Sequence, residues 1–66
     1  MQFYVNGEPT TLDDHASLAD LVTSMDLVGK RIAIEVNQEI IPRSQHAEYR
    51  IQADDHVEVV HAIGGG

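Results

Sequence analysis

Along much of this chain apolar and polar residues alternate with a period of two, the signature of half-buried strands. Residues 2 to 6 (Gln-Phe-Tyr-Val-Asn) put Phe3 and Val5 on one face with Met1, and Gln2, Tyr4 and Asn6 on the other. The run stops at Asn6-Gly7, a dipeptide that suits a type I′ hairpin turn because both central positions need positive φ. The return strand, residues 8 to 12, contains Pro9. Proline cannot donate to a ladder, so this strand is expected at a sheet edge. Ile32-Ala33-Ile34-Glu35-Val36-Asn37 alternates strictly, Asn37-Gln38-Glu39 turns the chain, and Ile40-Ile41 is a stub of strand stopped by Pro42. His56-Val57-Glu58-Val59-Val60-His61 reads as the last strand, with Val57 and Val59 inward and Glu58 and Val60 outward.

One segment switches to the helical period. Leu18, Leu21, Val22 and Met25 fall at i, i+3, i+4 and i+7, which is one face of a short helix. Ser17 is placed to cap it, with Asp20 three residues on as an acidic version of the capping box. Gly29 marks the start of a loop. Asp13-Asp14-His15 and residues 43 to 54 read as polar connections, the latter with one helical turn around Ser44 to Ala47.

Hairpin, helix, strand, stub and final strand are the elements of an α+β chain in which a mixed sheet of about four to five strands folds around one helix. The valine-rich last strand belongs in the middle, parallel to the first, with the Pro9 strand and the Ile40-Ile41 stub as edges. This is the β-grasp, or ubiquitin-like, arrangement. Residues 1–66 are read as one domain, in which 62–66 form a flexible Gly-rich tail.

Composition narrows the function. A chain of 66 residues builds a thin core and has no room for a deep, water-excluding active site. It lacks Cys, so disulfides, thiolate metal sites and a thiol nucleophile are excluded. Four basic residues against eleven acidic ones give a net charge of −7, which disfavours nucleic acid and favours a protein partner with a basic face. There is neither a signal-peptide pattern nor an apolar run long enough to span a membrane, and a cytoplasmic location is expected. His15, His46, His56 and His61 lack metal-ligand spacing and are read as surface residues, so no metal site is expected. No Gly-x-Ser-x-Gly elbow accompanies Ser17, Ser24 or Ser44, and Ser17 is better explained as a cap.

The chemistry is expected at the end of the chain. Gly64-Gly65-Gly66 follow a strong strand with almost no linker. Such a tail can thread a narrow channel and bring its carboxylate to the α-phosphate of ATP, where any Cβ would obstruct the approach. Tyr4 and Val60, both on the open face of the sheet, are expected to form a small apolar patch by the base of the tail. With Glu58 and Ile63 they make up the expected docking residues.

Glu35-Val36-Asn37-Gln38-Glu39-Ile40-Ile41-Pro42-Arg43, together with Val59-Val60-His61-Ala62-Ile63-Gly64-Gly65-Gly66, resembles the ThiS family of thiamine-biosynthesis sulfur carriers. The resemblance extends over the whole chain. It implies a carrier that is a co-substrate of other enzymes. Gly66 would be adenylated by a ThiF-type enzyme using ATP and magnesium, while Gly64 and Gly65 thread the partner's active site. Sulfur from a persulfide-bearing protein would then give a terminal thiocarboxylate, passed on to thiazole synthase (ThiG). No cofactor is expected on the domain itself. The related alternatives are a carrier like the small subunit of molybdopterin synthase and a ubiquitin-like protein modifier. A purely structural interaction domain would leave the glycines unexplained.

Overall fold

A computed structural model describes residues 1–62 of the chain. Strands β1 (Gln2–Val5) and β2 (Glu8–Thr11) form the first hairpin, and helix α1 (Leu18–Ser24) follows. Strands β3 (Ile32–Val36) and β4 (Glu39–Ile41) form a second hairpin, a 3₁₀ turn covers Arg43–Gln45, and β5 (His56–His61) closes the sheet. The sheet order is β2-β1-β5-β3-β4. β5 runs parallel to β1 and antiparallel to β3, which places it in the centre, with the Pro9 strand and the Ile40-Ile41 strand at the edges. This is the β-grasp expected from the order of elements.

Both hairpins use positive-φ turns. Asn6 and Gly7 have φ of 52° and 84°, and Asn37 and Gln38 have 51° and 73°. Asparagine tolerates the left-handed region, but Gln38 carries a Cβ there without a local hydrogen-bonding side chain to favour it.

The helix starts as the capping box requires. Ser17 Oγ accepts from the Asp20 N–H at 3.1 Å, and the Ser17 N–H donates to the Asp20 carboxylate at 2.9 Å. The Ser17 backbone N–H, and after it the Ser17 hydroxyl, favour the charged form of the Asp20 carboxyl and hold it below the usual carboxylate range. The helix ends earlier than Gly29. Asp26 takes a left-handed φ of 59°, its N–H donates to the Thr23 carbonyl, and the Leu27 N–H donates to the Val22 carbonyl. That pair of bonds is a Schellman stop, here built on aspartate rather than glycine. Gly29, at φ 81°, shapes the connection that follows.

Leu18 and Leu21 sink from the helix into a core of Phe3, Val5, Ile34, Val36, Ile41, Val57 and Val59. Burying each such side chain is worth about 2 kcal/mol, so a single helix suffices to close a sheet of this size. Val22 and Met25 lie at the margin of that core, partly buried.

The connection after β4 is more structured than its polar composition suggested. Ile51 is fully buried, drawn in by hydrogen bonds from its N–H to the Ala16 carbonyl and from the Leu18 N–H to the Tyr49 carbonyl. His46 is not a surface residue: only 7% of it is exposed. Its Nε2 lies 2.9 Å from the Ile41 carbonyl, which can only accept, so Nε2 carries the proton and donates. Asp55 is buried too, and its carboxylate accepts from the Gln52 N–H at 2.8 Å and from Asn37 Nδ2 at 3.0 Å. Asp55 thereby ties the start of β5 to the β3–β4 turn, a structural duty that Asp14, paired with the Met1 ammonium at 2.9 Å, does not share. Burial, and then the negative charges of Asp55 and Glu39, pushes the Tyr49 hydroxyl pKa up.

Candidate functional site

The site expected from the sequence hangs on the end of β5, so the geometry of that strand decides what the tail can do. β5 pairs with β3 along its whole length, from Val36↔Val57 to Ile32↔His61. On its other side β1 runs out early, since the register there is Tyr4↔His56 and Val5↔Val57. The Asn6 side chain continues the ladder: Nδ2 donates to the Val59 carbonyl at 3.1 Å and Oδ1 accepts from the Val59 N–H at 2.9 Å. Beyond the strand, the Ala62 N–H donates to the Arg31 carbonyl at 3.0 Å. The chain is thus held by hydrogen bonds up to Ala62. Ile63, Gly64, Gly65 and Gly66, on which the expected docking, threading and carrying roles fall, lie outside the described residues.

Val57 and Val59 face the core and Glu58 and Val60 face away from it, as the alternation requires. Val60 is 52% exposed and sits opposite Ala33. In the next row Glu58 faces Glu35, and Glu35 in turn faces Ile40, which is 71% exposed. Like charges directly opposite one another are unfavourable, so the Glu35–Glu58 pair is a local cost next to an apolar group.

Tyr4 does not join this patch. It pairs with His56, and the two rings stack with centroids 4.8 Å apart at 14°. His56 and Val60 are separated by four strand residues, about 13 Å. Facing alone put Tyr4 and Val60 together. The parallel register, which starts β5 opposite the end of β1, separates them. Ala33, directly opposite Val60, takes the place expected of Tyr4. One residue of the site was not legible as such: Asn6, read only as a turn former.

Among the described residues no group of three His, Asp or Glu is arranged to hold a metal, and no helix is long and apolar enough to cross a membrane. Ser17 is occupied in its cap, and Ser24 Oγ donates to the Leu21 carbonyl at 2.7 Å.

Comparison with known proteins agrees with this geometry. The ThiS family model matches residues 3–66. The sulfur carrier protein ThiS of Bacillus subtilis is 36% identical over 53 residues, 80% of each chain. A thiazole synthase of Magnetococcus marinus is 33% identical over all 66 residues, but the chain spans only 20% of that protein's length. The crystal structure of a thiamine biosynthesis protein (ThiS) from Geobacter metallireducens superposes with a TM-score of 0.84 at 26% identity, each chain covered in full. A family model over nearly the whole length and a relative of this identity leave one assignment for this β-grasp: the chain belongs to the ThiS family.

Proposed function

We propose that the chain carries sulfur at the carboxylate of Gly66 and delivers it for thiazole formation. As a member of the ThiS family it is a small carrier protein of thiamine biosynthesis rather than an enzyme. The observation that carries the finer reading is the hold on β5. Strand and side-chain hydrogen bonds grip the chain as far as Ala62, and the remaining sequence is Ile63-Gly64-Gly65-Gly66. A domain held firmly to that point can be docked by a partner while a side-chain-poor end enters its active site.

The chemistry follows from the carboxylate. One of its oxygens attacks the α-phosphorus of ATP on a ThiF-type enzyme, pyrophosphate leaves, and the acyl group becomes electrophilic. Magnesium and ATP belong to that partner. A persulfide sulfur then attacks the acyl carbon and AMP departs with the transferred oxygen, leaving an acyl disulfide. A thiol of the donor protein or of a small-molecule reductant attacks the donor-side sulfur, the S–S bond breaks, and a thiocarboxylate and a new disulfide on the thiol side are released. The carrier next docks on a thiazole synthase of the ThiG type and surrenders the sulfur. A segment similar to this whole chain occurs within a protein named thiazole synthase, which supports that pairing. The absence of Cys fits the scheme, since no side-chain thiol of the carrier competes for the activated carbonyl.

Removal of Gly65 and Gly66 tests the reading. Pyrophosphate exchange into ATP, measured with the activating enzyme, is expected to require the full-length carrier and to vanish with the shortened one. Undiminished exchange with the shortened chain would overturn it.

A further inference from the structure

Three of the chain's four basic residues lie on backbone segments that meet at the root of the tail. Arg43 donates from Nη2 to the Lys30 carbonyl at 2.8 Å, and the neighbouring Arg31 carbonyl accepts from the Ala62 N–H at 3.0 Å. The fourth, Arg50, lies elsewhere and donates to the His15 carbonyl. Among the described residues the sole ion pair is that of the Met1 ammonium with Asp14. Among the described residues, none of the eleven Asp and Glu side chains forms an ion pair with Lys30, Arg31 or Arg43. All three side chains are exposed, although acids outnumber bases almost three to one. An apolar groove of about 430 Å³ opens beside them, bordered by Arg43, Ile32 and Val28, and Val28 is 69% exposed.

We propose that this corner is a second docking site of the carrier, which binds an acidic protein segment bordering the channel that takes the tail. The proposal rests on the carrier reading above and adds a binding surface to it. Charge complementarity names the occupant. A strongly acidic domain repels acidic partners everywhere except at a site where its cations are gathered and unpaired. The groove adds a seat for one apolar side chain of the same segment against Val28. The acidic row of Glu35 and Glu58 on the open sheet face suits a basic surface instead. Engagement of both would orient the domain about the tail, because opposite charges at two separated places fix a register that one patch cannot.

Stopped-flow association of the full-length carrier with its activating enzyme and with its synthase tests this. The double variant Lys30→Glu/Arg31→Glu is expected to associate at least about tenfold more slowly at low salt, and the difference should shrink at about 0.5 M salt as screening sets in. Arg50→Glu is the control, reversing one of the basic residues away from the corner, and should change the rate by less than about threefold, within a rim charge's usual effect. Val28→Ser should speed dissociation. A circular dichroism melt establishes that each variant is folded, as expected for exposed positions. Slowing by Arg50→Glu equal to half that of the double variant would mean that net charge alone acts, and would overturn the proposal, as would unchanged association of the double variant. Saturable binding of ATP alone that the double variant abolishes would assign the corner to a polyphosphate and overturn it too. Normal pyrophosphate exchange by wild type alongside any of these results leaves the carrier reading standing. Failure of wild type to associate with either enzyme or to support exchange would overturn both.

Discussion

The side-chain amide of Asn6 closes on both backbone polar groups of Val59, donating to the carbonyl at 3.1 Å and accepting from the N–H at 2.9 Å. A residue chosen by its turn therefore also serves as a strand. β1 has ended, and without this amide the central strand would leave a donor and an acceptor unpaired three residues before Ala62. Asn6→Gly keeps the positive φ that the turn needs but removes the clasp. It is expected to cost about 1–2 kcal/mol in urea denaturation and to raise amide exchange at Val59. No change at Val59 would mean that solvent replaces the amide without loss.

The capping box sets an acid limit on the helix. Ser17→Ala should cost about 1 kcal/mol, the usual value of an N-cap. The Asp20 carboxyl titrates below its unfolded value of 3.8 because Ser17 hydrogen-bonds its charged form. Its contribution is complete above that value and is lost as pH falls through the lower, folded one. Asp20→Asn should therefore flatten the fall of stability below pH 3.8, measured as urea midpoints against pH. An acid slope identical in the variant would contradict this.

Gln38 stands at φ 73°, a conformation that costs an L-residue energy and glycine almost none. Gln38→Gly is expected to stabilise the chain by about 0.5–1 kcal/mol, read as an upward shift of the denaturation midpoint. A loss of stability would show that the Gln38 side chain makes a contribution of its own.

On the open sheet face, Val60→Asp is expected to weaken binding to the activating enzyme and to the synthase by more than about tenfold, as truncation of an apolar anchor does. The fold should survive, since half of Val60 is exposed. Tyr4→Ser, about 13 Å along the sheet, should weaken binding far less. Titration calorimetry of the two variants decides between a compact patch at Val60 and a broad one that includes Tyr4.

Much of this was legible in the sequence because periodicity and turn chemistry act locally. The alternation fixed which side of β5 faces the core, and Pro9 and the short Ile40-Ile41 run marked the edges. Ser17 and Asp20 announced the helix start three residues apart. What could not be read was long-range register. Tyr4 and Val60 share a face, but only the pairing of β1 with β5 determines how far apart they lie. The same holds for His46, Ile51 and Asp55. Their burial depends on hydrogen bonds to Ile41, Ala16, Gln52 and Asn37, which no local pattern announces.

The account stands or falls on the chemistry of Gly66. Intact-mass measurement of the full-length chain after incubation with its activating enzyme, ATP, magnesium and a persulfide donor tests it directly. The predicted result is a mass gain equal to one oxygen-to-sulfur exchange, localised by fragmentation to the last peptide and absent without ATP. An unchanged mass while AMP is released, or a gain that maps away from Gly66, would contradict it.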